Sequence, residues 1–318
     1  MKNVGQIPTL ADIEAAHRRI QPLIHHTPVL TCQSIDELSG GQLFFKCENF
    51  QKVGAFKMRG ASNAILSLQP EQQAKGIATH SSGNHGQAVA LAAKNVGAQA
   101  YIVMPENAPK VKVAAVKGYG AEVIFCAPNI NARETTLAQV VADTGATFIH
   151  PFDNYAVIAG QATAALELIE EVDHLDLVMT PVGGGGLISG TALTTHYLLP
   201  KAKVIAGEPK GADDAARSMK AGKIIPSTNP DTIADGLLTS LCEKTFDIIR
   251  KYVSEIITVN DQEIVKAMRT VWERMKIIIE PSCAVPLAAF LQQKERFKDQ
   301  RIGIILTGGN VDLGALPF

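Results

Sequence analysis

The chain has 318 residues, 46% hydrophobic and 19% charged, with 30 basic and 31 acidic side chains and a net charge of −1. That length and apolar content suffice to bury a core and leave room for two domains of about 100–200 residues each. The charges are scattered without blocks, which excludes the electrostatic footprint of a nucleic-acid or anionic-membrane binder and points to small-molecule chemistry. No run of about 18 consecutive apolar residues is present. The start Met1-Lys2-Asn3-Val4-Gly5 carries no apolar signal core, so a cytoplasmic protein is expected.

In chain order, Ala55 and Phe56 open a helix at Lys57, between Gly54 and Gly60, which permit tight turns. Short β-branched runs then alternate with amphipathic segments: a strand at 76–79 before a helix at 85–96, a strand at 100–104 before a helix at 109–118, and a strand at 122–125 before a helix at 132–143. The alternation returns with helices near 157–171, 186–198 and 261–275 and strands near 176–182, 203–208 and 302–306. This βαβ rhythm predicts an α/β fold of open, mostly parallel sheets covered by helices. Nothing repeats at a fixed period, and the loosest segment, residues 223–230, reads as a surface connection. Cys32, Cys47, Cys126, Cys242 and Cys283 are odd in number and widely spaced, without a C-x-x-C pair. They read as reduced, buried hydrophobes. Cys283 follows Glu280-Pro281-Ser282 at a helix start, where a lowered thiol pKa is the alternative.

In open sheets, ligands sit beyond the carboxyl ends of strands, where a strand hands over to a helix. Three motifs fall at such junctions. Ser81-Ser82-Gly83-Asn84-His85-Gly86 opens a helix and suits a carboxylate held by backbone N–H groups; it also reads as an ordinary N-cap. Gly183-Gly184-Gly185-Gly186-Leu187 follows a strand and matches a backbone cradle for phosphate. No Lys-Ser/Thr pair follows and the spacing is not G-x-G-x-x-G, so neither an NTPase nor a dinucleotide reader is supported. Leu306-Thr307-Gly308-Gly309-Asn310 ends the last strand, placing the Thr307 hydroxyl toward a ring nitrogen or serving as a plain strand terminator. Lys57 completes the set, because a lysine amine forms a Schiff base with an aldehyde. Lysine plus glycine cradle reads as a pyridoxal phosphate enzyme.

The Phe-Lys-x-Arg-Gly lysine, the Ser-Ser-Gly-Asn-His-Gly turn, the four-glycine loop and the terminal Gly-Gly-Asn, in this order over nearly the whole chain, resemble the serine/threonine dehydratase and serine racemase branch of fold-type II pyridoxal phosphate enzymes. The resemblance implies a tryptophan synthase β-like fold, with a large cofactor domain at 1–70 and 149–318 and a small mobile substrate domain at 71–148. It further implies that Lys57 holds the cofactor aldehyde with Phe56 also at the cofactor, that Asn84 hydrogen-bonds the ring hydroxyl, that Gly183, Gly184, Gly185, Gly186 and Leu187 hold the phosphate, and that Thr307 meets the pyridine nitrogen. Ser81, Ser82, Asn84 and His85 surround the substrate carboxylate on this reading. Thr307 stands where serine is usual, Ala55 where serine often precedes the phenylalanine, and Ala162 where glycine is common. None of the three removes a reacting group.

Those groups imply a chemistry. Lys57 acts as base at Cα, and a neutral hydroxyl opposite the pyridine nitrogen leaves the ring a poorer electron sink, which favours expulsion of a β-hydroxyl over a long-lived carbanion. The expected reaction is dehydration and deamination of L-serine, L-threonine or 3-hydroxyaspartate. Serine racemisation, with Ser82 as proton donor on the opposite face, is the alternative. Arg133 matches a position that in related enzymes points at the side-chain end of the substrate, where a guanidinium pairs with a second carboxylate. Together with residues 41–50 and 280–286 and the Thr307 terminus, it makes the chain similar to bacterial 3-hydroxyaspartate dehydratases; the other reading of Arg133 is a solvated helix residue. Glu208, the Ala212 carbonyl and Asp214 match the family's Mg²⁺, Mn²⁺ or Ca²⁺ site, and oxygen ligands suit such ions. Gln87, Tyr119 and Asn310 match a nucleotide effector site in some racemases. A homodimer is expected. The chain ends soon after Asn310, so the regulatory domain of biosynthetic threonine dehydratases, and feedback by isoleucine, are not expected. A non-catalytic small-molecule binder on the same scaffold and a cysteine synthase-like β-replacement enzyme stay open as further readings.

Overall fold

The computed structural model describes residues 6–318; the leading segment Met1-Lys2-Asn3-Val4-Gly5, on which the absence of a signal core was read, lies outside the described residues. The strands are β1 (Val29–Leu30), β2 (Gln42–Cys47), β3 (Ile77–His80), β4 (Ala100–Pro105), β5 (Glu122–Cys126), β6 (Thr147–Phe148), β7 (Leu177–Pro181), β8 (Lys203–Pro209), β9 (Glu255–Val259) and β10 (Arg301–Leu306). They form a six-stranded sheet in the order β1-β2-β10-β7-β8-β9 and a four-stranded sheet in the order β5-β4-β3-β6. Every pairing is parallel except that of β1 with β2. Among the described residues no helix is long and apolar enough to cross a membrane.

Parallel strands covered by helices on both faces read as unbroken apolar runs. β7 and β10 follow the rule: Leu177, Val178 and Met179 on one, and Ile302, Ile304, Ile305 and Leu306 on the other, are buried. The helix Pro281–Gln292 packs beneath this sheet, with Cys283, Val285, Leu287 and Phe290 in a core shared with Leu43, Phe45 and Met179. The four-stranded sheet has its own core, but Ile20, Met58, Ala61 and Ile65 share a cluster with Ile77, Val89, Ile102 and Met104. The helix Lys57–Leu66 therefore forms the seam between the sheets. Each such fully buried aliphatic side chain contributes about 1.5–3 kcal/mol, so the start of this helix is anchored from both sides.

Candidate active site

Lys57 is the first residue of the seam helix. The preceding backbone is tied to the end of β10: the N–H of Phe56 donates to the Thr307 carbonyl at 3.0 Å, and Ala55 bridges Gly308. The Lys57 Nζ donates to the Pro151 carbonyl at 3.2 Å and lies 5.1 Å from the centroid of the Phe56 ring. Burial lowers the amine to about 8, with the buried Glu280 carboxylate opposing part of that shift. A lysine so placed supplies a substantial neutral fraction near neutral pH, the form that acts as nucleophile and base.

Beyond β3, the N–H of Ser81 still donates to the Val103 carbonyl at 3.1 Å, and the Ser81 Oγ accepts from the Gly83 N–H at 3.2 Å. The helix Asn84–Asn95 starts at once, so the half-buried Ser82 stands in a tight turn at a positive helix end. Asn84 Nδ2 donates to both carboxylate oxygens of Glu280, at 2.9 and 3.2 Å, while Asn84 Oδ1 accepts from Asn310 Nδ2 at 2.9 Å. His85 is buried, and its Nε2 lies 3.2 Å from the Ile149 carbonyl. That contact selects the Nε2–H tautomer and leaves Nδ1, buried and without a partner, as an acceptor. Burial, and then Lys57, keep the ring neutral by pushing its pKa well down.

Glu280 was missed as a site residue by sequence reasoning; before Pro281 it reads only as a helix start. Burial raises its carboxyl to about 7. Pro151, His150 and Phe152 were missed too. His150 Nδ1 accepts from the N–H groups of Phe152 and Asp153, at 3.3 and 2.8 Å, and burial lowers its pKa to about 4, so it remains a neutral acceptor that shapes this loop.

The same loop touches the glycine run. β7 ends at Pro181, Gly183, Gly184 and Gly185 turn, and Gly186 and Leu187 open the helix Gly186–Leu198. A Cβ at Gly184 would lie 2.3 Å from the Phe152 ring, and Gly185 has φ +89°, so side chains are excluded from both. The first-turn N–H groups of such a helix lack intrahelical partners and gather at its positive end, which makes an anion seat. Thr307 is 3% exposed at the end of β10, and its hydroxyl is felt by the Cys283 thiol. Cys283 is fully buried, and desolvation drives its pKa up rather than down. The lowered thiol pKa held open at this helix start is thereby corrected, because loss of water outweighs the helix end.

A half-buried low-pKa amine, a bare glycine turn at a helix start and a hydroxyl at the end of β10 are the groups that would hold an aldehyde, a phosphate and a ring nitrogen. The family signature described as pyridoxal-phosphate dependent enzyme matches residues 20–308. The chain belongs to this family. The β-hydroxyaspartate dehydratase of Paracoccus denitrificans is 52% identical over 312 residues, 98% of this chain and 99% of that protein. The crystal structure of serine racemase from Dictyostelium discoideum superposes with a TM-score of 0.92 at 54% identity, covering 96% of this chain and 99% of that one. The L-threo-3-hydroxyaspartate ammonia-lyase of Saccharomyces cerevisiae is 47% identical, over 96% of this chain and 94% of that protein.

Three outlying groups surround the centre of this pyridoxal-phosphate-dependent enzyme. Arg133, on the helix Ile130–Thr144, is half-buried, and its Nε is buried without a hydrogen-bond partner. Its charge acts on His80, the neighbour of Ser81 in the chain. Glu208, Ala212 and Asp214 are 1%, 3% and 1% exposed. The Glu208 oxygens accept from the N–H groups of Ala215 and Ala216, both at 2.8 Å, while Asp214 Oδ2 is buried with no partner. Desolvation raises Glu208 to about 8 and Asp214 to about 6. Among the described residues no cluster of three His, Cys, Asp or Glu side chains has metal-binding geometry. Two buried carboxylates and a carbonyl nevertheless fit a hard divalent ion, which would take up the orphaned oxygen. Of the three residues that the resemblance matched to an effector site, Asn310 joins the Asn84 network; Gln87 is buried in the helix Asn84–Asn95, and Tyr119 caps the helix Lys110–Gly118.

Proposed function

We propose that this enzyme eliminates the β-hydroxyl and the amino group of a small hydroxy amino acid, yielding a 2-oxo acid and ammonia, with 3-hydroxyaspartate preferred over L-serine and L-threonine. The observation that carries the reading is Lys57, a half-buried amine of pKa about 8 that donates to the Pro151 carbonyl beside Phe152, the residue packed on the glycine loop. Bound pyridoxal phosphate supplies the aldehyde that captures the substrate amine and the electron sink that acidifies Cα. Lys57 takes that proton. The N–H groups of residues 183–187 hold the phosphate, and Phe56 borders the ring. Asn84, whose side-chain amide is oriented by Glu280 and Asn310, meets the ring hydroxyl. Thr307, a neutral partner for the ring nitrogen, favours departure of the β-hydroxyl. Ser81, Ser82, Asn84 and His85 bind the substrate carboxylate, and Arg133, with an unpaired Nε, takes the second carboxylate of an acidic substrate.

The remaining parts of the proposal are a structural Mg²⁺ (or Mn²⁺ or Ca²⁺) held by Glu208, the Ala212 carbonyl and Asp214, a cytoplasmic homodimer, and a nucleotide effector near Gln87, Tyr119 and Asn310. The 54% identity to the Dictyostelium serine racemase supports a second reading, racemisation with Ser82 as the opposing proton donor. Paired turnover decides: oxo acid and ammonia release from L-serine, L-threonine and the 3-hydroxyaspartate diastereomers, with D-serine followed by chiral chromatography. Dominant hydroxyaspartate turnover is expected. D-serine formation exceeding pyruvate would put the racemase first, and absence of any turnover would overturn both readings.

A further inference from the structure

Arg59 lies two residues beyond Lys57, about 200° away around the helix axis, so the two cations leave the same turn on opposite sides. Lys57 enters the site; Arg59 enters the protein and is fully buried. Nε and Nη2 donate to Glu48 at 2.7 and 2.8 Å, Nη1 and Nη2 donate to Glu167 at 2.7 Å each, and Nη1 donates to Thr163 Oγ1 at 3.1 Å. A guanidinium has five N–H donors, and here each one is used.

Those partners sit on separate elements. Glu48 follows β2 and accepts also from Thr27 Oγ1 at 2.5 Å; Glu167 lies on the helix Tyr155–Glu171 and pairs with Lys46 of β2 at 2.9 Å. Pro151, whose carbonyl receives the Lys57 amine, belongs to the segment that leads into that same helix. The seam helix also meets it without a gap: a Cβ at Gly160 would lie 2.6 Å from the Arg59 carbonyl. Arg59 thus locks the turn that carries Lys57 to the helix whose approach segment receives the Lys57 amine.

We propose that Arg59 is the positioning residue for Lys57: its two carboxylate forks fix the first turn of the seam helix so that the half-buried amine is held at the Pro151 carbonyl. The inference rests on Lys57 being the residue that carries the cofactor. Lysine cannot replace the double fork, since an ammonium offers three donors from one point. Loosening the turn admits water around Lys57, whose other titratable neighbours are Glu280, His85 and His150.

The test uses cofactor-stripped full-length protein and follows the rate at which added pyridoxal phosphate develops its imine absorbance, as a function of pH. The parent should show a midpoint near 8. Arg59→Lys should load at least about tenfold more slowly, with the midpoint moved up toward that of an ordinary lysine. Glu171→Gln, which loosens Lys46 at the rim of the cluster (2.8 Å in the parent) but touches neither Arg59 nor the site, should lower the melting temperature and leave the loading profile alone. If Arg59→Lys does not fold, Thr163→Val, which deletes one of the five bonds, decides by the same readout. A parental rate and midpoint in whichever variant folds would reduce Arg59 to a stability element. Imine absorbance that survives Lys57→Ala would instead overturn the assignment of Lys57 itself.

Discussion

Single side chains here owe their chemistry to burial. The Glu280 carboxyl is raised from 4.5 to about 7, chiefly by desolvation. In the cofactor-free protein the folded state therefore holds a proton that the unfolded chain releases. Its stabilising contribution is complete below about pH 4.5, falls as pH rises and is gone above about pH 7. Glu280→Gln, neutral throughout, should flatten this slope, losing roughly 3 kcal/mol less than the parent between about pH 5 and about pH 8. Urea titrations across that range measure it, and a mutant with the parental slope would refute the assignment. Arg133 belongs to the same scale. A charge-assisted contact is worth about 1.5–3 kcal/mol, so Arg133→Gln should lower kcat/KM for 3-hydroxyaspartate by about 10–150-fold while moving L-serine less than about threefold. Equal losses on both substrates would make Arg133 a scaffold residue.

Elements were legible in the sequence where their residues explain themselves locally. β3, β4, β5, β7, β8 and β10 are short apolar runs, and the helices between them carry ordinary amphipathic patterns. β2 escaped because Gln42-Leu43-Phe44-Phe45-Lys46-Cys47 places a lysine inside a strand. Lys46 is fully buried, and the Thr27 carbonyl together with Glu167 and Glu171, the two carboxylates far along the chain, make that tolerable. β1 and β6 are two residues each, too short for any periodicity. The start of the helix Pro281–Gln292 was legible at Glu280-Pro281-Ser282, while the internal Pro286 obscures its length. Lys57, the glycine turn, Ser81–His85 and Thr307 stand out as motifs because each is a local device at the end of a strand or the start of a helix. Glu280 and the Pro151 carbonyl acquire meaning only through partners brought by the fold. The turn between β8 and the helix Asp214–Ala221 carries its own prediction. Mg²⁺ at about a hundredfold over its Kd should stabilise the parent by about 2.7 kcal/mol, seen as a rise in melting temperature that Asp214→Asn abolishes. An unchanged rise in the variant would remove Asp214 from the ion's ligands.

At the scale of the whole molecule, residues 71–148, the substrate domain that the resemblance implies, are tied to the rest by an ion pair: Lys112 Nζ lies 2.6 Å from Asp235 Oδ2. Asp235 opens the short turn Asp235–Leu237, and Leu237 packs against Gly183 of the glycine loop, so the contact joins the two sides directly at the site. Lys112→Ala should raise KM for the amino acid several-fold, with kcat less affected, and should erase the part of KM that depends on salt, since partly exposed pairs are screened. Steady-state kinetics at low and high ionic strength would show this, and a parental KM at both would discard the role of this contact. The strand order has a further consequence, one of timing. β10, the last strand, lies between β2 and β7, and the backbone that positions Lys57 hangs on the Thr307 carbonyl just beyond it. While a ribosome is still making residues before Arg301, β2 and β7 have no common neighbour and Lys57 lacks its anchor. The nascent chain therefore carries the amine long before it has a site to hold it, and pairing across so great a sequence separation is slow. The support of Lys57 therefore waits for the synthesis of β10.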